Sequence, residues 1–69
     1  MPLTLAPFDE ELIIKRLGGS PEVRKHLENL GFHIGGTVML VTGLNGNLII
    51  KVKDARVAIS EEMARKIYV

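Results

Sequence analysis

Alternation of apolar and polar residues dominates the second half of the chain and predicts a three-stranded meander. The segments "TVMLVT" and "NLIIKVK" are separated by "GLNG", and its Asn45-Gly46 dipeptide is typical of a two-residue hairpin turn. In the second of these segments Leu48, Ile50 and Val52 alternate with Ile49, Lys51 and Lys53, so we expect one buried face and one mostly exposed face. "DARVAIS" repeats this alternation after a tight connection at residues 53–55.

The first half of the chain predicts one strand followed by one helix. Residues Glu11–Leu17 are mostly apolar with isoleucines at the centre, which is typical of a largely buried strand. Ser20 can cap a helix over about Pro21–Leu30, and proline is well tolerated at the first helical position. One apolar stripe then follows helical spacing: Val23, Leu27 and Leu30.

The ends of these elements complete the predicted fold. Gly31 directly follows the helical stripe, where a residue with positive φ is usually needed, and "HIGG" reads as a turn. Ser60 is expected to cap a short helix with acidic residues in its first turn and Arg65 and Lys66 in its last, before "IYV" closes the sheet. We therefore expect a mainly β, partly closed barrel of about five strands, with one inserted α-helix and a short C-terminal helix.

Composition limits the classes of protein to consider. A chain of 69 residues is one domain, residues 1–69, with an expected stability of only about 3–5 kcal/mol. It has no cysteine, no apolar run near the length of about 20 residues that a membrane span needs, and no basic, apolar start typical of a secretion signal. We expect a cytoplasmic protein without direct membrane insertion. The net charge of +1 argues against a nucleic-acid partner.

The glycines and histidines do not indicate a catalytic, cofactor or metal site. Phosphate loops place glycines before a helix, whereas the glycines at positions 31, 35 and 36 follow one. His26 and His33 are separated by the end of the helix, and their spacing does not put two ligands on one turn. We expect His26 to be a partly covered structural residue and His33 to lie on a surface turn. No arrangement typical of nucleophilic catalysis is visible, so we expect no catalytic residue, cofactor or metal ligand.

The pattern "RKHLENLGFHIGGTVMLV", followed by "NLIIKVKDARVAISEEMARKIYV", resembles the FeoA family over about residues 12–69. The first part of the resemblance rests on Leu27, Leu30, Gly31, Phe32, Gly35 or Gly36, Val38 and Val41, and the second on Val57, Ile59, Ala64, Ile67 and Val69. It implies an SH3-like barrel and a small cytoplasmic protein of bacterial ferrous iron uptake. It also implies action by protein contact on FeoB, a membrane transporter with a cytoplasmic GTPase domain.

The chain departs from the family in its turns. It has Asp9-Glu10 where members often carry a glycine, "GLNGN" where they often carry Gly-Asp-Pro, and Asp54 near a position that is often glycine. Turns tolerate such changes, so we expect the fold to be kept while contacts made by these loops differ.

The resemblance implies a non-enzymatic accessory protein that binds and modulates a FeoB-type transporter. One alternative is a small-barrel RNA-binding protein, which the near-neutral charge disfavours. Another is a GTPase-activating factor that supplies an arginine, with Arg16, Arg24 and Arg56 as candidates. The sequence leaves open whether the barrel self-associates.

Two surfaces are candidates for partner binding. Leu44 lies in the "GLNG" segment, where polar residues are the norm, and Ile49 interrupts the polar side of the third strand. An apolar pair ringed by charges is how a small interface concentrates its energy. The first predicted surface is therefore Leu44, Ile49, Lys51 and Lys53, and the second is the outer face of the helix, with Arg24, Lys25 and Glu28.

Overall fold

An antiparallel sheet of four strands forms most of the structure, and a pair of very short strands lies beside it. The computed structural model describes residues 1–69. The large sheet has the order β1-β3-β4-β5, and the small one pairs β2 with β6. The elements in chain order are a 3-10 turn at Leu3–Leu5, β1 Leu12–Ile13, β2 Arg16–Leu17, α1 Pro21–Asn29, β3 Thr37–Leu44, β4 Asn47–Val52, β5 Ala55–Ser60, α2 Glu61–Ala64 and β6 Ile67–Tyr68.

The hairpin between β3 and β4 has the two-residue turn that the sequence predicts. Asn45 and Gly46 both have positive φ, 51° and 79°, as a type I′ turn requires. Leu44, predicted to lie in the turn, is instead the last residue of β3 and pairs with Asn47. The register of the pairing shifts between Leu40 and Thr42, so the strand carries a β-bulge there.

The prediction of one continuous first strand over residues 11–17 is wrong. The segment forms two short strands because it changes partner: β1 pairs with β3, and β2 pairs with β6. Ile14 lies at the break, where its N–H donates to the Gly36 carbonyl and its side chain is buried. The chain thus crosses from the large sheet to the small one, which partly closes the barrel.

Helix α1 begins and ends as predicted. The Ser20 hydroxyl accepts a hydrogen bond from the Val23 N–H at 3.3 Å, and Pro21 takes the first helical position. Leu27 is fully buried, and the other two stripe residues pack against the same core. Gly31 has φ +107°, so the prediction of a positive-φ residue after the helix is confirmed.

The C-terminal helix α2 is capped as predicted but is shorter. The Ser60 hydroxyl accepts from the Met63 N–H at 3.2 Å. The helix ends at Ala64 with Arg65 as its C-cap, so Arg65 and Lys66 follow the helix and do not form its last turn. The Lys66 N–H closes this end by donating to the Met63 carbonyl.

The core lies between the sheets and both helices and contains only apolar residues. Its largest fully buried side chains include Phe32, Leu40, Ile50 and Ile67. The N-terminal segment, for which the sequence pattern predicts no element, contributes Leu3, with no exposed surface. None of the helices combines the length and the apolar character needed to cross a membrane.

Candidate partner-binding surface

The side of the large sheet that faces away from the core is the main candidate surface, and we call it the outer face. The strand register places Met39, Lys51 and Arg56 in one row across β3, β4 and β5, and Thr42, Ile49 and Ala58 in the next. Residues between these rows, such as Leu40 and Ile50, point to the core and are buried. The outer face therefore carries apolar, basic and threonine side chains, of which Thr42, Lys51, Arg56 and Ala58 are exposed and Met39 and Ile49 are partly buried.

Leu44 and Ile49 lie next to each other on the outer face. Leu44 pairs with Asn47 and Ile49 with Thr42, which makes the two apolar residues diagonal neighbours across the hairpin. Leu44 is 63% exposed and Ile49 is half-buried. The bulge before Thr42 produces this arrangement, because it returns Leu44 to the same side of the sheet as Ile49.

The two lysines of the first predicted surface lie at the other end of the hairpin. Lys51 and Lys53 line a groove of about 460 Å³ together with Glu11, Thr37 and Met39. Lys53 has φ 55° in the turn between β4 and β5, and both lysine side chains are exposed. The structure thus spreads the four residues of the first predicted surface along β3, β4 and the turn after β4, with the apolar pair at one end and the basic pair at the other.

The second predicted surface belongs to a different groove. Arg24 and Glu28 line a groove of about 400 Å³ together with Arg16 and Ile34, whereas Lys25 is exposed but does not line it. The Arg16 guanidinium lies over the Tyr68 ring, 4.2 Å from its centroid, which restricts its motion.

The three arginines considered as GTPase-activating candidates do not form one site. Arg16 and Arg24 line the groove beside α1, whereas Arg56 lies on the outer face.

Both histidines are exposed and lie apart from any cluster of ligands. His33 is on the loop after α1, as expected. His26 was expected to be partly covered, which is wrong: a step of one residue turns a helix by about 100°, and Leu27 takes the inward position. The structure contains no group of three or more His, Cys, Asp or Glu side chains that could hold a metal ion.

Sequence reasoning missed several exposed apolar residues. Ile13 is 60% exposed and pairs with Thr37, which extends the outer face onto β1. Ile34 and Phe8 are also largely exposed. The continuous apolar run around Ile13 gives no sign of which residue faces out, because that depends on the register with β3.

The model of the FeoA domain family matches residues 1–69 of the chain. The chain belongs to the FeoA family. It is 32% identical, over 99% of its length and 83% of the relative's, to a protein of Methanocaldococcus jannaschii named Fe(2+) transport protein A. The FeoA-family resemblance in the sequence is therefore confirmed.

Solved structures agree with the fold. The chain is similar to a crystal structure described as iron uptake regulatory protein FeoA, with a TM-score of 0.86, 26% identity, and coverage of 96% of this chain and 88% of the other. It is also similar to Stenotrophomonas maltophilia FeoA in complex with zinc, described as a prokaryotic SH3 domain protein, with a TM-score of 0.83, 20% identity, and coverage of 99% and 87%. The predicted mainly β, SH3-like barrel is confirmed.

Proposed function

We propose that this FeoA-family chain is a non-enzymatic accessory protein of ferrous iron uptake that binds the cytoplasmic GTPase region of a FeoB-type transporter and modulates its activity. Family membership and the iron-transport names of its relatives support the iron-uptake role. The observation that carries a binding role is that Leu44 is 63% exposed and lies beside Ile49 on the outer face of the sheet.

The expected energy of this contact follows from the exposed area. Fully burying a leucine is worth about 1.5–3 kcal/mol, and Leu44 has about two thirds of its surface still to bury. Ile49 adds its remaining exposed part, and Lys51, two residues along β4 on the same side of the sheet, is the nearer of the two lysines to this apolar pair. Loss of both apolar side chains is therefore expected to weaken binding by tenfold or more, equivalent to about 1.4 kcal/mol.

A binding assay with a detergent-solubilised FeoB-type transporter tests this proposal. The Leu44→Ser/Ile49→Ser double variant is compared with the wild-type chain and with Leu5→Ser, which removes an equally apolar side chain that is 72% exposed and lies in the N-terminal 3-10 turn. We expect the double variant alone to bind at least tenfold more weakly, with an unchanged melting temperature. Equal affinity for all three proteins would exclude this surface and direct attention to Arg24, Lys25 and Glu28.

Stimulation of GTP hydrolysis by an arginine is a second candidate function. It is favoured by the groove beside α1, where Arg24 is exposed at the rim and Arg16 is held over Tyr68. GTP turnover by the transporter is measured with wild-type protein and with Arg24→Ala. Stimulation that Arg24→Ala abolishes while binding persists supports this role, and stimulation that it leaves unchanged contradicts it.

A further inference from the structure

The outer edge of β5 has no neighbouring strand. In the large sheet β5 is the last strand and pairs only with β4, over residues 55–60. Ala55, Arg56 and Ala58 are exposed, and β5 contains no proline or bulge that would block pairing. At the opposite edge of the sheet, β1 is only two residues long, and the chain then turns away into β2. That edge therefore offers much less backbone for pairing than β5 does.

The hydrogen-bonding pattern between β4 and β5 shows which backbone groups on this edge are free. Val52 and Ala55 close a two-residue hairpin, so the residues of β5 that bond to β4 are Ala55, Val57 and Ile59. The N–H and C=O groups of Arg56 and Ala58 must then point away from β4. Neither residue takes part in a backbone hydrogen bond outside the strand ladders. Both therefore offer donor and acceptor groups to an added strand.

The charges beside this edge indicate what such a strand would carry. Arg56 lies directly opposite Lys51, so two like charges meet at a close cross-strand position, which is unfavourable. The next residue in the row on β3 is Met39, which carries no charge. Glu11 shares a groove with Lys51, but it directly precedes β1, at the opposite edge of the sheet from β5. A carboxylate on a strand added beside Arg56 would relieve this repulsion. The next row contains Ile49 and Ala58, which are both apolar. An apolar side chain of the same added strand would lie beside them.

We infer that the free edge of β5 is a strand-addition site for an extended segment of a partner protein, with a carboxylate beside Arg56 and an apolar side chain beside Ala58. If the segment pairs antiparallel to β5, its apolar residue, opposite Ala58, comes two positions before its acidic residue, opposite Arg56. A second copy of this chain fits less well, because β5 itself contains no acidic residue that could lie beside Arg56. The inference rests on the proposed function only for the identity of the partner.

A synthetic peptide tests the inference without the transporter, so its failure is distinct from failure of the proposed function. The probe is a capped peptide, Thr-Thr-Val-Val-Glu-Thr-Thr with a proline at each end to prevent self-pairing, and its matched control has lysine in place of glutamate. Each is titrated into the isotope-labelled protein while the backbone amide resonances and their hydrogen exchange are followed. We expect slowed exchange at the amides of Arg56 and Ala58, and at least threefold tighter binding of the glutamate peptide.

Two variants separate strand addition from nonspecific charge attraction. Ala58→Pro removes the outward N–H without removing a bond to β4 and is expected to abolish binding, whereas Ala58→Thr keeps the N–H and is expected to retain it. Arg56→Glu is expected to reverse the preference between the two peptides. The inference is overturned if peptide up to about 5 mM leaves the Arg56 and Ala58 amides unchanged, if Ala58→Pro binds normally, or if wild-type protein forms a dimer that Ala58→Pro dissociates.

Discussion

Truncation of Leu27 to alanine tests how much of the fold depends on the packing of α1. The Leu27 side chain has no exposed surface, and its carbonyl also accepts the Phe32 N–H at 3.0 Å where the chain leaves the helix. Leu27→Ala leaves that backbone bond in place but opens a cavity in the core, which costs about 2–5 kcal/mol. Since a domain of this size has about 3–5 kcal/mol of stability, the variant is expected to be largely unfolded or close to it.

Urea denaturation followed by circular dichroism measures the effect. For a small domain the free energy of unfolding falls by about 1 kcal/mol per molar urea, so a loss of about 3 kcal/mol lowers the midpoint by about 3 M. Leu5→Ala is the matched control: Leu5 is 72% exposed, and its truncation is expected to change stability by less than about 0.5 kcal/mol. If Leu27→Ala unfolds at the same urea concentration as this control, α1 does not pack on the barrel as described.

Three further predictions follow from local geometry. Gly31→Val is expected to lower the unfolding free energy by about 1–2 kcal/mol or more, because φ is +107° and a Cβ there would lie 3.3 Å from Val52 Cγ1; an unchanged urea midpoint would contradict this. Ser60→Ala is expected to cost about 1 kcal/mol through loss of the cap of α2, and the same titration would show no change if the cap were unimportant. By titration calorimetry the isolated protein is expected to bind ferrous iron more weakly than micromolar, because its exposed histidines have no cluster of further ligands; tight binding lost on replacing His26 or His33 would refute this.

The elements that the sequence predicts well are those determined by neighbouring residues. The Asn45-Gly46 turn sets the register of the longest hairpin, and Ser20 and Gly31 mark the two ends of α1. Each signal lies within a few residues of the structure that it determines. These features therefore follow from the local chain without knowledge of the rest of the fold.

The features that the sequence does not predict depend on distant partners. Residues 11–17 look like one strand, but β1 and β2 pair with strands that lie far apart in the chain, and nothing local marks the change at Ile14. The burial of Leu3 likewise depends on α2, which contacts the 3-10 turn at the other end of the sequence.

The candidate site shows the same division between local and distant information. The exposure of Leu44 could be anticipated from its place beside a polar turn. The proximity of Lys51 to Arg56, and of both lysines to Glu11, requires the cross-strand register of three strands. Composition suggests a nearly neutral protein, whereas the fold concentrates basic side chains on one end of the outer face.

Ferrous iron uptake into liposomes that contain a FeoB-type transporter tests the central claim most directly. The wild-type chain, the Leu5→Ser control and the Leu44→Ser/Ile49→Ser variant are each added on the GTPase side over a range of concentrations. We predict that the first two change the uptake rate saturably and that the double variant needs at least tenfold more protein for half of the effect. An uptake rate that does not respond to the wild-type chain at any concentration would contradict the account.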